Sequence, residues 1–373
     1  MIRYANFHIL HPLAFSNPNR DDTGAPKTTT YGGTVRGRMS SQSQKRAART
    51  AFEGQTTADR THRSKYAADR LLDTTTTLLA ANGTTLTPDQ TEKLHKSVRT
   101  EIGKLTGKAD DAKATLVWLA EAELNGLAAK LAVKAGAEMT KDDIDAALST
   151  TTDSLTIAAF GRMFASRADL AIEAAAQVGH AFTTHAQAND LDYLTAFDDL
   201  QASYDTPDDD GNVKGAGAGH LDVNEFHSGV FYRYFNLNRD DLTDNWRPLT
   251  NQGAPGTTER LEAFLREMTI QLPTGRDATA AHQTPPAYVM VTFTERAATL
   301  APAFETPVAG GANDGYLPGS IAALTGYADA IARIYGPDHR IVVNLTDPDA
   351  QTTLADLTGA VANWVVSGTL STP

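Results

Sequence analysis

Apolar residues at Ile2, Tyr4 and Phe7 to Leu10 predict a strand that enters a core. Pro12 and Pro18 are expected to break its regularity, leaving residues 14–33, rich in Asn, Asp, Thr and Gly, as a long loop. Beyond Ser40 the period becomes helical. Ser41 and Gln44 stand at capping-box spacing, with Ala47, Ala48 and Ala51 on the inward face. Gln42, Lys45, Arg46 and Arg49 fall at i, i+3, i+4 and i+7 on the outward one. Residues 56–182 look mostly helical, most clearly over 115–135 (Leu116, Leu119, Leu124, Leu127, Leu131) and again over 168–182. Residues 190–221 predict a protruding ribbon, aromatic at one end, with Asp208-Asp209-Asp210-Gly211 and Gly215, Gly217 and Gly219 at its tip. Alternation over 224–237 puts Phe226, Ser228, Val230, Tyr232 and Tyr234 on one strand face and His227, Phe231, Arg233 and Phe235 on the other. A helix (258–271), a strand (288–293), a helix (320–335), a strand (340–344) and a helix (351–365) follow. Strand-plus-helix elements at both ends predict an α+β core carrying two excursions.

Composition narrows the classes. The 373 residues suffice for one large domain or a few modules, and 41% hydrophobic with 21% charged residues is ordinary for a globular protein. The most apolar stretch, 287–293, is strand-sized, and residues 1–6 lack the layout of a secretory signal, so no membrane partner and a cytoplasmic location are expected. The absence of cysteine removes disulfides, thiolate nucleophiles and Cys-type zinc sites.

The net charge of −12 speaks against a surface that coats nucleic acid everywhere. Its distribution speaks for one place. Between residues 27 and 70 stand Lys27, Arg36, Arg38, Lys45, Arg46, Arg49, Arg60, Arg63, Lys65 and Arg70, against only Glu53, Asp59 and Asp69. A capped helix N-terminus beside Ser40, Gln42, Lys45, Arg46 and Arg49 suits phosphate, because unpaired N–H groups and cations converge there. The spacing alone favours a solvated helix face. Arg20 and Lys27 lie in the long loop upstream of Gly32-Gly33, a pattern that by itself reads as plain turn chemistry.

Other candidates carry less. His180 and His185 are five apart, unlike a helical zinc pair, and read as structural. Asp198-Asp199 and Asp208 to Asp210 read as a solvated loop tip. Tyr193, Leu194 and Phe197, with Met163 after Gly161-Arg162, are apolar residues in polar surroundings that suit either base stacking or packing. No Ser/His/Asp set, Walker loop or dinucleotide fingerprint is present, so no cofactor and no catalysis are expected.

Several blocks occur in order: Asn19-Arg20-Asp21-Asp22; Gly32-Gly33; Arg38-Met39-Ser40-Ser41-Gln42-Ser43-Gln44-Lys45-Arg46-Ala47; Gly161-Arg162-Met163; His180-Ala181-Phe182-Thr183-Thr184-His185; Asp192-Tyr193-Leu194-Thr195-Ala196-Phe197-Asp198-Asp199-Leu200; His220-Leu221; and Glu225 to Tyr234. Together they resemble the type I-E CasC family, the repeated backbone subunit of the Cascade CRISPR surveillance complex. The resemblance covers most of the first 240 residues; the last third matches by pattern only.

The resemblance implies a hand-shaped α+β protein with an RRM-like (ferredoxin-like) palm from 1–58 and 223–373. It further implies helical fingers at 59–181, a palm connection at 182–187 and a β-hairpin thumb at 188–222. The implied function is non-catalytic. Copies of the chain line up on a CRISPR RNA with other Cascade subunits, and each thumb kinks the RNA so that the remaining bases pair with target DNA. By position, Arg20, Lys27, Ser40, Gln42, Lys45, Arg46 and Arg49 would hold the RNA backbone. Arg38 and Arg162 fall in the matched blocks, Met163, Tyr193 and Leu194 near the kink, and Leu221 on the returning thumb strand. Two departures accompany it: the base-reading aromatic motif of an RRM sheet is missing, and Tyr193-Leu194 stands where close relatives carry more aromatic bulk. Related type III backbone proteins cut RNA with a loop aspartate, which makes Asp21 or Asp22 the positions a ribonuclease would use.

Overall fold

The computed structural model describes residues 2–107, 116–135, 137–196, 220–250, 254–311 and 314–370. Its frame is an antiparallel sheet built from β1 (Tyr4–Ser16), β2 (Thr28–Tyr31), β3 (Thr34–Met39), β6 (Ala176–Val178), β7 (Ala181–Thr183), β8 (Asp190–Ala196), β9 (His220–Asn238), β10 (Tyr288–Thr294) and β11 (His339–Asn344). The order is β11-β10-β1-β9-β7-β3-β2, with β6 and β8 also paired to β9. A separate two-stranded antiparallel sheet pairs β4 (Thr61–Ser64) with β5 (Val117–Ala120).

The first strand outruns its apolar pattern. β1 passes through Pro12, opposite Val230, and bulges between Leu13 and Ser16. Its pairing with β10 ends at Leu10, so Pro12 has a strand neighbour on one side only, where proline is tolerated. The loop expected over 14–33 is correspondingly shorter, and β2 and β3 close it as a hairpin turning at Gly32 and Gly33.

Both faces of the sheet are covered. Ala5, Phe7, Ile9, Phe235, Val289 and Val291 pack against α1 (Ser41–Gln55) and the helices Thr257–Ile270 and Leu354–Ser367. The Phe52 and Phe264 rings meet edge-on at 5.5 Å, locking two of those helices together. On the other face Leu10, Tyr232, Tyr288 and Met290 lie beneath the turn Ala301–Phe304 and the helix Leu317–Tyr335. The chain runs β1, α1, β7, β9, helix Thr257–Ile270, β10, and those strands stand in the order β10-β1-β9-β7.

A second core gathers Leu71, Val98, Ile102, Leu119, Leu127 and Leu131 from β5 and from α2 (Ala67–Ala81), α3 (Pro88–Leu105) and α4 (Glu121–Val133), with α5 (Lys141–Ala147) alongside. The helix expected over 115–135 begins only at Glu121, because Val117–Ala120 pairs with β4. The helix expected over 168–182 is replaced by a short turn, Ala168–Leu170, and by β6 and β7. Ala175, Ala176 and Ala181 are buried there, so small residues that favour a helix locally serve as close-packed sheet positions instead.

β9 extends beyond the sheet and pairs with β8 from Asp190↔Phe226 to Ala196↔His220, the base of the expected ribbon. Phe197, Asp198, Asp199, Asp208 to Asp210 and the glycines at 215, 217 and 219 lie outside the described residues.

Candidate nucleic-acid interface

The start of α1 is pinned by the long loop. Asn19 Oδ1 accepts the Ser40 N–H at 2.8 Å and its carbonyl accepts the Lys27 N–H at 2.9 Å. Lys27 O in turn accepts the Arg38 N–H at 2.7 Å. Ser40 is thereby held extended (φ −69°, ψ 149°), and its Oγ takes the Ser43 N–H at 3.3 Å. The N-cap is therefore Ser40, one residue before the expected Ser41. Gln44 turns inward instead of completing a capping box, donating to Gly179 O at 3.0 Å and accepting from Arg233 Nε at 3.3 Å.

The outward stripe has two parts. Gln42 and Arg46 are exposed. Lys45 and Arg49 are half-buried, the Lys45 ammonium 5.3 Å from the Phe160 ring and the Arg49 guanidinium 5.7 Å from Trp118. Burial holds the Lys45 ammonium below the usual lysine range. The inward stripe is Gln44, Ala48 and Phe52; Ala47 and Ala51 flank it half-buried.

Arg38 donates to Thr28 O at 3.3 Å and to His180 Nδ1 at 3.4 Å, and His180 Nδ1 also takes the Ser41 N–H at 3.3 Å. Burial, then Arg38 and Lys27, keep that imidazole below its ordinary pKa, so it is a neutral acceptor at the helix N-terminus. Lys27, Arg38, Ser40 and the α1 stripe thus share one surface, with Arg20 exposed at the loop edge where its backbone bridges Pro26.

Two candidates are occupied elsewhere. Arg162 is enclosed: its guanidinium holds both Glu123 oxygens at 2.7 and 2.8 Å and lies 4.9 Å from the Phe164 ring. Its role is in the fold, and it is set aside as an RNA contact. Asp21 accepts from the Thr23 hydroxyl (2.7 Å) and from the Thr23 and Ala25 N–H groups, bonds that hold its carboxyl below the ordinary range. Asp22 is exposed beside it. His185 stacks on Tyr316 at 3.6 Å and accepts the Val230 N–H, and Gly229 makes room for it, since a β-carbon there would stand 2.1 Å from Nε2. Among the described residues no group of three or more His, Asp or Glu could hold a metal ion.

Met163 is 83% exposed just beyond α6 (Leu155–Phe160). Gly161 sets it there with φ +77°, against the Ile172 carbonyl. Tyr193 and Leu194 are exposed on β8, but as consecutive strand residues they point to opposite sides and cannot act as one wedge. Tyr193 pairs with Val223, also exposed, and Leu221 pairs with Thr195.

The sheet itself offers no platform. Tyr232 and Tyr234, on the face where an open sheet would present aromatics, are covered by Leu300, Phe304 and the helix above; Tyr232 accepts the Leu300 N–H at 3.0 Å and Tyr234 donates to Asn6 at 3.0 Å. No helix among the described residues is long and apolar enough to cross a membrane.

The sequence pattern does not mark Asn19, His180, Phe160 and Trp118 as members of this surface. Only their distant pairing with α1 identifies them.

Known structures share this architecture. A chain of a CRISPR RNA-guided surveillance complex in a pre-nicking state superposes with a TM-score of 0.74 at 26% identity, over 98% of this chain and 99% of that one. A chain of another CRISPR RNA-guided surveillance complex shares the fold, with a TM-score of 0.58 at 24% identity over 98% and 99%. No curated protein matches. The family model described as CT1975-like protein matches residues 5–364, nearly the whole sequence, and the chain belongs to the CT1975-like protein family.

Proposed function

We propose that this chain is a non-catalytic, crRNA-binding backbone subunit of a CRISPR surveillance complex of the type I-E Cascade kind, acting in the cytoplasm. The observation that carries this is the surface on α1. A capped helix N-terminus, the cations Lys27, Arg38, Lys45, Arg46 and Arg49 and the hydrogen-bonding Ser40 and Gln42 converge on one side of a chain whose net charge is −12. The likeness to a chain of a CRISPR RNA-guided surveillance complex over almost the full length supports the assignment. The strand–helix–strand–strand–helix–strand course supports an RRM-like palm at 1–58 and 223–373, joined through 182–187 to fingers at 59–181 and a thumb at 188–222.

In this proposal RNA is held by backbone and shape, as the covered sheet demands. The exposed Tyr193 and Val223 on the ribbon and the exposed Met163 serve a kink shared between neighbouring copies, and the bases between kinks pair with target DNA. Acidic surfaces meet basic neighbours in the assembly.

Lys45→Glu with Arg49→Glu is expected to weaken binding equally for unrelated RNA sequences and to flatten the salt dependence by about 0.7 for each phosphate no longer neutralised. Filter binding across a salt series reads both. An unchanged affinity in the double variant would refute the assignment.

A further inference from the structure

We propose that the basic face of α1 continues across the β4–β5 sheet as a second stretch of single-stranded RNA contact, with Trp118 as its stacking platform. This rests on the guide-RNA function and extends the same track.

The continuity is physical. Arg49, at the end of the α1 stripe, lies 5.7 Å from the Trp118 ring. Trp118 is directly opposite Arg63 in the β4–β5 pair, and directly opposed residues of an antiparallel pair share a side. Two residues further along the chain, Lys65 stands 5.4 Å from the ring of Tyr66, which is 51% exposed. Two aromatic rings therefore stand among three cations from Arg49 through Trp118 and Arg63 to Lys65 and Tyr66, the composition of a single-strand track.

The platform is fixed to α1. Trp118 Nε1 donates to Thr61 Oγ1 at 2.8 Å, and Thr61 Oγ1 donates at 2.6 Å to Glu53, a buried residue of α1 that also accepts from Thr156 at 2.8 Å. The indole also packs on Ala120, Ile157 and Ile172. The β4–β5 pair is thereby oriented with respect to the helix.

The local acids are already engaged. Glu53 is spent on those hydroxyls, Asp59 pairs with Arg260 at 2.6 Å, Asp69 with Arg99 at 3.2 Å, and Glu121 with His62 and with Arg70 at 3.0 Å. Among the described residues Arg49, Arg60, Arg63 and Lys65 pair with no carboxylate. A run of like charges at this density is matched by a polyanion, and the half-buried Trp118 ring with the exposed Tyr66 can be stacked on only by unpaired bases, so the occupant is single-stranded. Its continuity with α1 makes it the same RNA strand.

The experiment is intrinsic fluorescence of the full chain titrated with oligouridine and, in parallel, oligothymidine. The chain has three tryptophans, and Trp246 and Trp364 are 0% and 2% exposed, so base stacking should quench Trp118 alone. Oligouridine is expected to quench the wild type, while Trp118→Phe binds with nearly unchanged affinity and shows no quench. Arg63→Ala with Lys65→Ala should lower the salt slope by about 1.4. Trp118→Ala should cost about tenfold in affinity. Three results would overturn the inference. One is binding that Lys45→Glu with Arg49→Glu abolishes but that neither quenches Trp118 nor responds to Arg63→Ala with Lys65→Ala; it would leave the guide-RNA function standing. Quenching by oligothymidine only would remove RNA as the occupant. No binding by the wild type would remove both proposals.

Discussion

Among the described residues Arg36 and Arg233 are buried without a carboxylate partner, and both donate to backbone carbonyls. Arg233 donates to Thr269 O at 2.8 Å, Gln271 O at 2.9 Å and Met268 O at 3.1 Å, capping the end of the helix Thr257–Ile270 from the middle of β9. Replacing it strands those carbonyls, so Arg233→Met should lower the unfolding free energy by about 3 kcal/mol, read in urea with the slope unchanged. The buried imidazoles make a second residue-scale prediction. Burial holds His8 and His11 at about 3 and His227 at about 4, so all are neutral in the fold. The unfolded chain takes up their protons near pH 6.5, and the stability of the neutral forms is full above that value and falls as pH drops towards 4. Thermal melts from pH 7.5 to 4.5 should show a steady fall in Tm beginning near 6.5; a level Tm across that window would contradict the account. None of this is visible in sequence, where Arg233 and His227 read only as alternate positions on a strand.

At the scale of elements, α1 is legible because its stripe, cap and inward alanines fall within a few turns of one helix. The cap sits one residue earlier than its spacing suggests because Asn19, far upstream, decides which N–H is bound. Ser40→Ala should therefore cost about 1 kcal/mol of stability. Segments 117–120 and 176–183 carry a helical pattern yet form strands, because Ala and Leu suit either conformation and what settles them is pairing with strands more than forty residues away. Gly161 meets a local demand that the pattern does not show. Its φ is +77°, and an added β-carbon would meet the Ile172 carbonyl oxygen at 2.8 Å. Gly161→Ala should cost about 2 kcal/mol and displace Met163, checked by melting and by RNA crosslinking at position 163.

For the whole molecule, the ordered blocks carry the resemblance through the first 240 residues, whereas the last third becomes legible only once its helices and strands close the sheet. The candidate surface is half legible. Its cations lie close together in sequence, but His180, Phe160 and Trp118 reach it from elsewhere in the chain. Under the proposed function, a chain of net charge −12 that binds RNA through one face should load it in discrete copies rather than coat it loosely. Size-exclusion chromatography with absorbance at 260 and 280 nm should show particles that grow with RNA length for unrelated sequences, and that come apart as salt rises.

The helix Leu317–Tyr335 laid over the sheet has a consequence for the lifetime of the design. A binding protein whose aromatics read bases is tied to its message, and each new message asks for a new protein. Here the tyrosines are sealed beneath a helix, and the groups proposed to hold the strand are hydroxyls, amides and cations that answer to phosphate and ribose. Under the proposed function, the archive of guides can be rewritten without limit while the subunit that carries them stays the same.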